Sequence, residues 1–151
     1  MAKTPKKIEA KLYRKILEVM PIPCVDLVIV SERKFLLVKR KNKPAAGRWC
    51  IPGGRVMKGE TLNQAVIRIV KKETSLRKFK IAKVITASQF FSRTSAFGPS
   101  AHTISSVFLV IVPPDQSLRG DDQSSELRWF SKIDKKWLKY ARDMLRLAGF
   151  K

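Results

Sequence analysis

Residues 53–76 read GGRVMKGETLNQAVIRIVKKETSL, a phosphate-handling loop with a glycine pair that runs into a helix with an acid near its far end. Gly53 and Gly54 follow Pro52, which predicts a sharp turn that brings bare backbone close to a ligand, since glycine adopts dihedrals closed to other residues. Thr61 stands near an N-cap position for a helix over residues 61–75. Leu62, Val66, Ile69 and Val70 form its apolar stripe, and helical spacing puts Glu73 on the same side. A carboxylate aimed inward is costly unless paired, so Glu73 calls for a cation, either a metal ion or an arginine.

Upstream of this helix, residues 6–19 repeat apolar side chains at helical spacing (Ile8, Leu12, Ile16, Leu17), predicting an amphipathic helix closed by MPIP. Residues 24–30 (CVDLVIV) and 34–40 (KFLLVKR) read as a strand pair around SER, with Asp26 the odd residue in the first. KNKPAAGRW is a loop, and CIPGG a short strand closing on the glycine turn. Downstream, residues 78–92 and 102–112 read as long strands, and DDQSSELRWF as a loop and a further strand. Residues 132–150 form a last helix with Trp137, Tyr140, Met144 and Leu147 on one stripe. Helices interleave with strands, which predicts an α/β fold, a mixed sheet covered by helices. The expected division is a helical segment over 1–19 and one domain over 20–151.

At 151 residues and 44% hydrophobic content the chain can build a core without disulfide or metal staples. It has neither an eighteen-residue apolar run nor a signal-peptide pattern, so a cytoplasmic protein with no membrane association is expected. Cys24 and Cys50 form no C-x-x-C pair and read as buried, reduced thiols. Lys and Arg total 32 against 12 acids, a net charge of +20 that suits a polyanionic partner. Nucleic acid is the less favoured such partner, because no arginine-glycine tract, aromatic RNA-binding signature or helix-turn-helix is evident.

Gly54, Glu60, Arg68, Glu73 and Leu76 fall on the Nudix box, the loop-helix-loop motif of hydrolases acting on nucleoside diphosphates linked to another group. The chain resembles that family and has its departures too. Ile69 replaces a catalytic glutamate, Lys72 a metal-binding glutamate and Ser75 the closing glycine. The GDP-mannose mannosyl hydrolase branch lacks the same two glutamates, and PIPCVDLVIV, FLLVKRKNKPAAGRWCIPGGRVMKGETL and DDQSSELRWF are similar to it.

The resemblance implies a Nudix-like α/β/α sandwich with an extra N-terminal helix, and a homodimer formed through that segment. It implies one Mg2+, with Mn2+ as a substitute, on the Gly53 carbonyl, Glu73 and Gln123. Arg40 and Arg55 would bind the diphosphate of a nucleoside diphosphate sugar, with Asp26 in the active site. Water would attack the anomeric carbon and release the nucleoside diphosphate, whose developing charge the metal and arginines take up. The branch's general base is a histidine where this chain has Ser124, whose hydroxyl is too weak a base near neutral pH. Another base (His102, Asp26, Asp122 or Glu126), slow turnover without one, or binding without turnover remain open. His102 corresponds to a histidine of the branch, and Thr103 replaces its tyrosine. Two other activities are open as well: phosphoanhydride cleavage, and a Nudix-fold module that binds nucleotide or RNA.

Overall fold

The structure is a computed structural model that describes residues 7–42, 45–93, 95, 98, 100–120 and 124–151. Its elements are α1 (Ala10–Val19), β1 (Ile22–Ser31), β2 (Lys34–Arg40), β3 (Trp49–Cys50), β4 (Gly53–Arg55), α2 (Leu62–Thr74), β5 (Lys80–Ser92), β6 (Ala101–Ile111), β7 (Ser124–Phe130) and α3 (Lys139–Leu147). The seven strands form one mixed sheet in the order β3-β2-β1-β6-β5, with β7 on β2 and β4 on β1. Among the described residues only β1 and β6 run parallel, and the other pairings are antiparallel.

The sheet is split where the site lies. β1 and β2 pair only beside their shared turn, Val30 with Phe35 and Ser31 with Lys34. Beyond that they diverge, and residues 49–55 fill the wedge, β3 pairing with β2 and β4 with β1. Leu27 N–H donates to Pro52 O at 2.8 Å and Val56 N–H to Pro23 O at 2.9 Å, which fastens the insert along β1.

The two faces of the sheet carry separate cores. Val25, Leu27, Ile29, Phe108 and Val110 meet Ala65, Val66, Ile69 and Val70 of α2 on one face. On the other, Val28, Phe35, Leu37 and Val107 meet Trp137, Met144 and Leu145 at α3. This is the expected α/β/α sandwich. Thr61 closes a full capping box with Gln64 at the start of α2. Ser75 ends that helix in the left-handed conformation at φ 60°, the geometry a glycine would supply.

Several expected details change. Leu62 is 42% exposed and Leu147 59%, since each stands at a helix terminus, and Ala65 and Leu145 take the buried positions. Leu12 is 54% exposed, and α1 buries Leu17 with Tyr13 and Ile16 half-buried. The last helix starts at Lys139 because residues 134–137 form a turn, in which Trp137 N–H donates to Asp134 O and Lys136 N–H to Asp134 Oδ1. Cys24 and Cys50 are half-buried free thiols.

Candidate active site

The wedge brings Asp26 of β1 opposite Gly53 of β4. A Cβ on Gly53 would lie 2.1 Å from Asp26 Oδ1 and 2.8 Å from Val25 O, so only glycine fits. Neither Gly53 nor Gly54 has a positive φ, so the glycine pair forms a strand and is required by close packing, not by the dihedrals of a sharp turn. On the far side of Asp26, Tyr140 Oη of α3 donates to Oδ2 at 2.5 Å. Burial raises the Asp26 carboxyl above its ordinary value, while bonding to Tyr140, the nearby Ser105 hydroxyl and the charge of Arg40 act in the opposite direction. Burial also raises the Tyr140 hydroxyl, and the Asp26 charge adds to the effect. Ser105 is 1% exposed and lies beside the pair without a hydrogen bond of ordinary geometry. Burial pushes the Cys24 thiol up to about 12 and Cys50 to about 11, which leaves both protonated and poor nucleophiles.

The arginines border this carboxylate. Arg55 is in register with Cys24, on the Asp26 side of the sheet, and its guanidinium lies 4.6 Å from the centre of the Tyr13 ring of α1. Arg40 ends β2 at a register shift opposite Ser124, near enough for its charge to reach Asp26 and Cys50. Beneath them, Arg68 of α2 donates to Glu60 Oε1 at 2.5 Å, to Glu60 Oε2 at 3.0 Å and to Arg55 O at 2.8 Å. Glu60 also accepts from Met57 N–H at 2.8 Å, so one ion pair fixes β4, its loop and α2 together. The Arg68 guanidinium holds the Glu60 carboxyl below its ordinary value.

Three box positions on α2 have different surroundings. Ile69 is 2% exposed, and its Cδ1 lies 3.3 Å from where a Cβ on Gly54 would stand. Lys72 is exposed, and Glu73 is half-buried and engaged with another group. Among the described residues no three His, Cys, Asp or Glu side chains gather as a metal cluster. Gln123 and Asp122 lie outside the described residues.

The candidate bases are separated. His102 Nε2 donates to Gln89 Oε1 at 3.3 Å and its ring stacks on Phe91 with ring centres 4.3 Å apart. Alternation along β6 puts it on the α2 face with Phe108 and Val110, away from Asp26 and Tyr140 on the α3 face. Glu126 is ion-paired with Arg128. The structure thus brings together Asp26, Gly53, Arg40 and Arg55, and not His102. Sequence reasoning missed Tyr140 and Tyr13, both read simply as parts of helices. The available signal was Asp26 itself, a carboxylate in an apolar strand that had to find a donor.

The NUDIX domain family matches residues 20–146. The chain is 40% identical over 117 residues to an ADP-ribose pyrophosphatase of Methanocaldococcus jannaschii, an alignment covering 78% of this chain and 65% of that protein. It is 34% identical over 119 residues to the low-salt glycan biosynthesis protein Agl8 of Haloferax volcanii, covering 78% of this chain and 76% of that one. Its fold matches the crystal structure of a MutT protein from Methanosarcina mazei with a TM-score of 0.69 at 25% identity, covering 85% of this chain and 94% of the other. The glycine wedge and the Glu60–Arg68 clamp lie within the matched residues, and this chain belongs to the NUDIX domain family.

Proposed function

We propose that the protein hydrolyses nucleoside diphosphate sugars of the GDP-mannose kind, using one divalent cation and attacking the anomeric carbon. The observation that carries this reading is the fate of the box carboxylates: Ile69 sits in the core, Lys72 in solvent, and Glu73 alone stays at the helix's inner end. Activating water at phosphorus through several metals needs more carboxylates than this helix offers.

The donors fit one hard cation. The Glu73 carboxylate, the Gly53 carbonyl and the Gln123 amide are oxygen ligands of the kind Mg2+ or Mn2+ takes. When bound, the ion supplies positive charge to the diphosphate leaving group. Arg40 and Arg55 bind that diphosphate, the Glu60–Arg68 clamp holding the backbone of Arg55 and Tyr13 its guanidinium. Asp26 takes a proton from water as the water oxygen bonds to the anomeric carbon, and the C–O electron pair leaves on the diphosphate. Burial raises this carboxyl above its ordinary value, the direction that suits a base. The Tyr140 bond holds it in place.

A second reading, phosphoanhydride cleavage, is favoured by the likeness to an ADP-ribose pyrophosphatase. Hydrolysis of GDP-mannose and ADP-ribose in 18O-water with Mg2+ separates the two. The label is expected in the free sugar with none in phosphate. Label in phosphate-bearing products supports the second reading, and no turnover of either substrate overturns both.

A further inference from the structure

We propose that the edge of the sheet at the end of α2 and the start of β5 binds the phosphate backbone of a nucleic acid strand. Lys71 and Lys72 close α2, Arg77 and Lys78 follow, and Lys80 and Lys83 continue along β5, the outermost strand of the sheet on that side. All six are exposed, as is Arg119 of the neighbouring loop. None takes part in an ion pair among the described residues.

Hydrogen bonds make a platform of these segments. Gln116 Oε1 accepts from Lys78 N–H at 3.0 Å and from Arg77 N–H at 3.4 Å, and Gln116 Nε2 donates to Lys78 O at 2.9 Å. Arg119 N–H donates to Thr74 O at 3.0 Å, and Ser75 Oγ to Arg119 O at 2.9 Å. Cations from the helix end, the connecting turn and the 113–120 loop are thereby held side by side, with Glu73 and Asp115 the acids within residues 71–83 and 113–120.

The pattern of groups selects the partner. Seven cations spread over a helix end, a loop and a strand exceed what one nucleoside diphosphate can neutralise, and they match a polymer with regularly spaced charge. Phe79, the one aromatic residue in residues 71–83, packs on the core, so this platform offers bases no ring to stack on and contact is made through phosphates without sequence preference. An anionic membrane surface fits less well, because α2, the helix that ends at this edge, turns its apolar face into the core and has none to insert. The inference does not depend on the hydrolase reading and stands or falls separately.

The test is fluorescence anisotropy with a labelled oligouridylate RNA at about 50 to 200 mM KCl. Wild-type protein is expected to bind with a steep salt dependence. Arg77→Glu, Lys78→Glu, Lys80→Glu and Lys83→Glu combined are expected to weaken binding tenfold or more at the upper salt concentration. The log–log salt slope should flatten by about 3, from roughly 0.7 per lost contact on a single strand. Arg33→Glu, Lys132→Glu, Lys135→Glu and Lys136→Glu combined change the net charge equally at another part of the surface and are expected to cost less than about threefold, since surface charges beyond about 8 Å are screened. A glutamine set at the four platform positions reads the same loss should the glutamate set unfold. Equal weakening by the two glutamate sets, no RNA binding by wild type, or binding of phosphatidylserine vesicles in place of RNA overturns the proposal.

Discussion

The contact between Asp26 and Gly53 shows how much one missing methyl group controls. A methyl on Gly53 would meet the Asp26 carboxylate, which Tyr140 already holds, and the Val25 carbonyl, which belongs to the backbone of β1. Neither neighbour yields cheaply. A methyl on Gly54 would meet the Ile69 Cδ1 at 3.3 Å, the far end of a side chain that can turn. Gly53→Ala is therefore expected to lose about 1–3 kcal/mol and Gly54→Ala less than about 1, read from urea unfolding midpoints. Equal losses would mean that the Asp26 contact is loose. The sequence announced that two glycines were needed here but not why. A Gly-Gly pair signals a special dihedral and a close approach alike, and only the register of β4 on β1 separates them. The partner of Asp26 was hidden for a similar reason: Tyr140 is 114 residues away, and periodicity within α3 says nothing of which strand its ring reaches.

Among the elements, α2 serves packing and, on the proposed function, chemistry as well, and the two demands compete at Ile69. Ala65, Val66, Ile69 and Val70 are buried against β1 and β6, while Glu73, on the same side, is only half-buried. Much of this element was legible, because a capping threonine and a 3.6-residue apolar repeat are local signals. Its outer limits were less so, since periodicity cannot show where a helix runs past the sheet, and Leu62 is exposed for that reason. Restoring the family's glutamate by Ile69→Glu is expected to damage the protein and to confer no phosphoanhydride hydrolysis. The new carboxylate would replace a core side chain, costing about 3–5 kcal/mol at neutral pH from lost apolar packing and an unpaired buried charge. Burial would raise its pKa above the unfolded value, so stability would fall as pH rises through the interval between the two. The loss relative to wild type should accordingly be smaller near pH 4 than near pH 8, as measured by urea titrations at both. A variant as stable as wild type, or one gaining phosphoanhydride hydrolysis, would show that the position opens to the site.

Over the whole molecule, charge is the feature that composition stated fully and the sequence could not place. The total of +20 is plain from the residue counts, yet the approach of Arg119 to residues 74–78 arises through Gln116 and Ser75, across about forty residues of chain. The described ion pairs, Arg14–Glu18, Arg68–Glu60, Arg128–Glu126, Lys139–Asp143 and Arg146–Asp143, engage few of the 32 cations, and all but Arg68–Glu60 are well exposed. Exposed pairs contribute about 0–1 kcal/mol each, so screening them costs little, whereas the repulsion due to the net positive charge opposes compaction. Adding NaCl from about 0.01 to 0.15 M shortens the screening length from about 30 to 8 Å and should relieve that repulsion. The thermal midpoint is therefore expected to rise over this range. Charge reversal at Arg77, Lys78, Lys80 and Lys83 should raise the low-salt midpoint and flatten its salt dependence, because it lowers the net charge where cations are closest. A midpoint that falls with added salt would instead mean that attractive pairs outweigh the excess, and that the platform's cations are neutralised within the folded chain.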